Sequence, residues 1–146
     1  MTSRILSLYR TLEARPLGRW LFSRLVCLKA PYFASIAPRI ESLGAGRGVA
    51  TLRHRRRVSN HLGGVHAIAL CNLAEFIGGL TCDASIPPTM RWIPRGMQVE
   101  YLKKATGSMR ATATTAFAPR EAAAGYELPL GVVIENMQGE AVFRAT

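Results

Sequence analysis

Residues His66 to about Leu80 carry helical spacing with almost no polar side. Leu70, Leu73, Ala74 and Ile77 form one stripe, with small Ala67 and Ala69 beside it. Asn72 and Glu75 are its few polar residues. A helix apolar nearly all round must be covered on most sides. One flat sheet covers a single side, so the segment calls for a strongly curved sheet wrapped around it. Glu75 then stands out, because a carboxylate among apolar neighbours is costly unless it has a use.

The flanking segments supply such a sheet. Residues 3–13 place Ile5, Leu8, Tyr9 and Leu12 at helical spacing. Pro16 suits the first turn of a second helix, whose apolar stripe reads Leu17, Trp20, Leu21, Leu25 and Leu28. Ala30-Pro31 ends it. Pro38, Gly44, Gly46 and Gly48 mark a loop and turn region. A strand is read over Gly48 to Val58, then a loop over Ser59 to Val65. Gly78-Gly79 is expected to help stop the apolar helix. Beyond it, residues 97–104, 108–118, 127–137 and 141–145 read as strands, with a hairpin turn at Gln138-Gly139. Helices segregated from antiparallel strands make an α+β domain. The whole chain, 1–146, reads as one domain, with an N-terminal helical segment over 1–40 and a core over 46–146.

The composition narrows the partners. Lys and Arg number 19 against 9 Asp and Glu, a formal charge of +10. Nucleic acid, an anionic membrane or a phosphate-bearing small molecule would each suit that field. Nucleic-acid binding wants aromatics interleaved with the cations, and none lies in 45–75. The cysteines, Cys27, Cys71 and Cys82, are scattered and odd in number, so they form neither a disulfide framework nor a zinc knuckle. A reducing cytoplasm fits them best. The Arg-rich N-terminus has the composition of a transit peptide, and with Trp20 it would also suit a membrane surface. Its apolar order leads straight into the domain, so it is read as packing there and framing a pocket entrance. No integral membrane association is expected.

The central segment resembles a family signature. The PaaI-type thioesterases of phenylacetate degradation carry Asn-x-x-Gly-x-x-His-Gly-Gly, followed by a Leu and an acid along the next helix. Asn60, Gly63 and His66 match the first fixed positions, Leu73 the Leu, and Glu75 the acid. Ala67-Ile68 replaces the Gly-Gly pair. Ala30-Pro31-Tyr32-Phe33 and Val99 to Ala105 are similar to related bacterial thioesterase-like proteins of uncertain substrate, so the likeness spans roughly residues 28–145. It implies the hot-dog fold, a curved antiparallel sheet around one long central helix, assembled as a dimer or a dimer of dimers.

The resemblance also implies a chemistry, hydrolysis of an acyl-CoA thioester to acid and coenzyme A. Glu75 would be general base for water, or a nucleophile forming an anhydride. In apolar surroundings its pKa would rise. The N–H of Ala67, joined by Ile68, would hold the oxyanion at the helix start. Glu75 of one subunit would face Ala67 of the other. Asn60 would orient the water or the carbonyl, and His66 would hold the loop or touch the thioester. Gly63, Gly64, Ile68 and Tyr101 would line the substrate site. Arg55, Arg57, Lys103 and Lys104 are candidates for the coenzyme A phosphates. No metal and no cofactor is needed, coenzyme A being part of the substrate.

Other readings are weaker. Cys71 and His66 are five residues apart and share no helical face, so a Cys–His dyad is disfavoured. His61, His66 and Glu75 lack the spacing of helical metal ligands. A hydratase wants its His beside the acid on the site helix, whereas His66 stands at the helix start. The main alternative is a non-catalytic acyl-CoA or fatty-acyl binding protein on the same fold.

Overall fold

The computed structural model describes residues 2–146. The order is α1 (Arg4–Glu13), α2 (Gly18–Lys29), a 3-10 turn (Pro31–Ser35), β1 (Arg39–Gly44), β2 (Arg47–Leu52), a 3-10 turn (Arg56–Val58), α3 (Ala67–Ser85), β3 (Val99–Tyr101), β4 (Met109–Thr115), β5 (Leu130–Asn136) and β6 (Ala141–Ala145). The strands form one sheet in the order β1-β2-β4-β5-β6-β3. Every pairing is antiparallel.

The sheet wraps α3 as the apolar helix required. Leu70, Leu73, Phe76, Ile77 and Leu80 are buried against Ala50, Leu52, Met109, Ala111, Ala113, Val132 and Ile134. On β4 the inward residues after Met109 are alanines, and Ala111 and Ala113 pair with Ile134 and Val132 of β5. Small residues on the central strand let α3 come close, while branched neighbours fill the flanks. Each large side chain so buried contributes about 1.5–3 kcal/mol. By length and composition α3 could cross a bilayer, yet it is the helix of this core.

Three expectations for β1, β2 and α3 need correction. The chain over 39–44 is strand β1, not loop, and Gly44 to Arg47 is the turn of a β1–β2 hairpin. The second strand ends at Leu52, so the arginines beyond it lie in a turn rather than on a pleated strand. Helix α3 runs through Gly78-Gly79 to Ser85, because Leu80, Thr81, Cys82 and Ala84 beyond the glycines are buried in the core.

The N-terminal helices pack over β1. Tyr9 and Phe22 meet edge to face at 5.2 Å. The Ser23 hydroxyl accepts from the Ile40 N–H at 2.9 Å, tying α2 to the sheet. A bulge in β1 frees the Glu41 carbonyl, and the Arg19 guanidinium donates to it at 2.9 Å. Helix α2 starts at Gly18 rather than at Pro16. A Cβ there would lie 1.6 Å from the Leu12 carbonyl oxygen, so only glycine fits this tight turn. The expected α2 stripe faces outward: Gly18, Phe22, Ser23 and Cys27 are buried, while Leu17, Trp20, Leu21, Leu25 and Leu28 are exposed.

Burial first, and the Glu13 carboxylate second, push the Tyr9 phenol up to about 12. Folding thus favours neutral Tyr9. Its contribution is complete below the unfolded value of about 10 and is lost as pH rises through about 12. Urea unfolding at rising pH is expected to show stability falling above pH about 10, less so in Tyr9→Phe. An identical fall in both proteins would remove Tyr9 as the cause.

Candidate active site

The loop from Val58 to His66 is closed by its own backbone. The Asn60 N–H donates to the Gly64 carbonyl at 2.8 Å, and the His66 N–H donates to Val58 at 2.8 Å. The Asn60 side-chain oxygen sits inside this ring and accepts from Leu62 N–H at 2.9 Å and Gly64 N–H at 3.0 Å. Gly63 has a φ of +75°. A Cβ at Gly64 would come within 2.9 Å of the Ala105 oxygen, so residue 64 must be small for the Val65 N–H to reach that carbonyl at 2.7 Å. Asn60 therefore shapes the loop with its oxygen, which is no longer free to orient a substrate. Its side-chain NH2 is the part left for that purpose.

Asn60→Ala removes two accepted hydrogen bonds and is expected to lower stability by about 1–2 kcal/mol. The urea midpoint should fall at an unchanged m value. Asn60→Asp keeps an acceptor there and should recover most of the loss. Were Ala and Asp equally destabilised, the loop account would be wrong.

This loop delivers the chain to the start of α3. His66 is the N-cap, and its Nδ1 accepts from the Ile68 N–H at 3.0 Å. The neutral ring then carries its proton on Nε2, pointing away from the helix start. Ile68 is thereby withdrawn as a second oxyanion donor, a correction with a plain cause, the cap. The Ala67 N–H has no hydrogen-bond partner among the described residues, as a first-turn amide should.

Glu75 is exposed rather than sunk in the core. Helix α3 keeps one face uncovered by the sheet, and Ile68 and Glu75 lie on it. An open apolar groove of about 490 Å³ runs beside this face. It is lined by Ile68, Cys71, Asn72 and Glu75 of α3, by Ala30, Pro31, Tyr32 and Phe33, and by Met97. A smaller hollow of about 170 Å³ adjoins it at Tyr32, Ile68 and Asn72 and reaches His66 and Arg57. One trough thus joins the helix start, a cation and the carboxylate. Glu75 and Ala67 stand eight residues apart on one helix, a separation of about 12 Å along its axis.

The other candidates divide. Tyr101 of β3 reaches α3 beside the groove, its hydroxyl 3.3 Å from the Cys71 sulfur. That hydrogen bond holds its phenol above the usual value. Lys104 lies against the Gly64 loop. Lys103 pairs with Glu140 at 3.0 Å. That carboxyl is held below its usual value by the Asn136 amide first and Lys103 second. Arg55 is exposed and outside the groove, and Gly63 also lies outside it. Sequence reasoning missed Tyr32, Phe33, Asn72 and Met97 as lining residues. For Asn72 a signal existed: Ile68, Asn72 and Glu75 follow one another at i+4 and i+3 on one face. Asn72 is buried, and its NH2 donates to the Ser35 hydroxyl at 3.1 Å, fixing the 3-10 turn to the helix.

The wrapped helix, the six-stranded antiparallel sheet and this trough make the chain a hot-dog protein. Solved structures agree in fold. The PaaI protein of the E. coli phenylacetic acid degradation operon is 16% identical with a TM-score of 0.66, over 89% of this chain and 95% of that one. A probable thioesterase from Pseudomonas aeruginosa is 23% identical with a TM-score of 0.70, over 90% of this chain and 91% of that one. A hypothetical thioesterase from Streptococcus pneumoniae, solved with coenzyme A, is 21% identical with a TM-score of 0.61, over 74% of this chain and 82% of that one. A genomics target of known crystal structure is 43% identical with a TM-score of 0.80, over 97% of this chain and 92% of that one. No curated protein matches the chain. The family model of DUF4442, a domain of unknown function, matches residues 18–146, and the chain belongs to that family.

Proposed function

We propose that the chain is an acyl-CoA thioesterase, active as a dimer or a dimer of dimers. The observation that carries this reading is Glu75, an exposed carboxylate in an apolar groove whose adjoining hollow reaches His66, the cap residue just before the Ala67 N–H. The apolar groove takes the acyl chain. Glu75 removes a proton from water, which attacks the thioester carbonyl. The oxyanion forms against an Ala67 N–H at the positive end of α3. The intermediate collapses, the C–S bond breaks, and the thiolate of coenzyme A leaves and is protonated. Arg57, beside His66, meets coenzyme A phosphate, and Lys104 lies on the same loop side.

One helix cannot bring its own Glu75 and Ala67 to a single carbonyl across about 12 Å. A second copy does so when its α3 runs antiparallel to the first. The short edge strand β3 has no outer partner among the described residues and suits pairing with its own copy. The free thiols of Cys27, Cys71 and Cys82 fit a cytoplasmic setting.

The direct test is free thiol release from a panel of fatty and aryl acyl-CoAs. Turnover supports the hydrolase. Binding of acyl-CoA without any turnover assigns the same trough to a carrier instead.

A further inference from the structure

We propose that the outward face of α2 docks on an anionic lipid bilayer, setting the groove mouth against the membrane. At 100° per residue Trp20, Leu28, Leu21 and Leu25 share an arc of about 140°. Their exposures are 49%, 78%, 41% and 40%, and Leu17, just before the helix, is 74% exposed. The side turned away from this arc already packs into the protein with Phe22 and Ser23. Folding therefore does not need the outer leucines, and water is a poor partner for five neighbouring apolar side chains. Arg24 falls within the same arc, but its guanidinium turns back to the Pro38 carbonyl at 2.9 Å.

Charge selects the occupant. Between residues 4 and 29 the cations are Arg4, Arg10, Arg15, Arg19, Arg24 and Lys29, and the one acid is Glu13. None of these cations is in an ion pair among the described residues. An apolar helix face with a tryptophan at its margin, on a strongly cationic segment that forms no ion pair among the described residues, is the chemistry of a helix lying in an anionic interface. A second copy fits less well. A two-fold contact sets the face against itself and brings two such cationic segments together with only two acids between them.

The position gives the docking a use. Helix α2 ends at Lys29, and the next residues, Ala30 to Phe33, line the groove. Tyr32, three residues beyond the end of α2, is 71% exposed and part of the groove wall. A long acyl chain partitioned in the bilayer would meet the groove without crossing water. The docking itself does not depend on hydrolysis.

Cosedimentation of the full chain with vesicles tests it. Phosphatidylglycerol with phosphatidylcholine at about 1:2 should bind the protein at least about tenfold more tightly than phosphatidylcholine alone, and added salt should weaken binding. Leu21→Ser with Leu28→Ser should reduce anionic-vesicle binding at least about tenfold while leaving the circular dichroism spectrum and acyl-CoA binding unchanged. No binding to anionic vesicles, or equal binding to neutral ones, overturns the proposal. So does a double variant that binds vesicles normally but loses a subunit contact in sedimentation velocity, which would assign the face to a second copy.

Discussion

Glu75→Gln is expected to lower kcat for acyl-CoA hydrolysis by about 10²–10⁴-fold, the ordinary worth of a general base. Gln keeps the shape of the side chain and removes its ability to accept a proton from water. Glu75 is exposed and forms no ion pair among the described residues, so its replacement should leave the melting temperature unchanged. KM should change little, because the proposed site holds the acyl chain through apolar groove residues rather than through Glu75. Thiol release at saturating acyl-CoA, beside a thermal melt, measures both quantities. Turnover that survives in Glu75→Gln at near wild-type rate would remove Glu75 from the chemistry.

Ala67→Pro is expected to cost about 10²–10³ in rate at nearly unchanged stability. Position 67 is the first of α3, where proline is well tolerated and its ring fits the helical backbone. His66 already has φ −63° and ψ 138°, the conformation a residue before proline prefers. The substitution thus deletes one N–H that has no partner among the described residues, and little else. A rate loss with an intact melt assigns that N–H to the oxyanion. An unchanged rate denies it the role.

The two variants also test the shared site. If Glu75 of one copy works with Ala67 of the other, mixed dimers of Glu75→Gln and Ala67→Pro contain one intact site and one doubly damaged site. Co-refolding the two at equal amounts should restore about a quarter of wild-type activity, since about half the dimers are mixed and each has one working site. No recovery, with mixed dimers demonstrated by differential tagging, would place both groups in one subunit's site and break the proposed geometry.

Much of the fold could be read from α3. A helix with so few polar residues has to be wrapped, and the strand-like segments on either side of it pointed to the wrapping. The strand β1 escaped notice because Pro38 and the glycines around it read as turn, whereas Gly44 to Arg47 is the turn and Arg39 to Leu43 pairs with β2. The spacing from Asn60 to Glu75 located the loop, the cap and the carboxylate. It did not tell which donors were already spent. The Asn60 oxygen is used by Leu62 and Gly64, and the Ile68 N–H by His66. Nor did it foresee that Glu75 lies exposed, because the sheet wraps most of α3 and leaves one face to the groove.

Periodicity and composition determined the wrapped helix, the closed loop at its start and the excess of cations, because each is a property of neighbours along the chain. Tertiary structure alone decided which face of α2 is buried, since both its faces are apolar and only the shape of the core chooses Phe22 over Leu21. It alone brought Tyr32, Met97 and Glu75 to one groove across more than sixty residues of chain. Contacts at that separation come from the packing of whole elements, and no local pattern of residues encodes them.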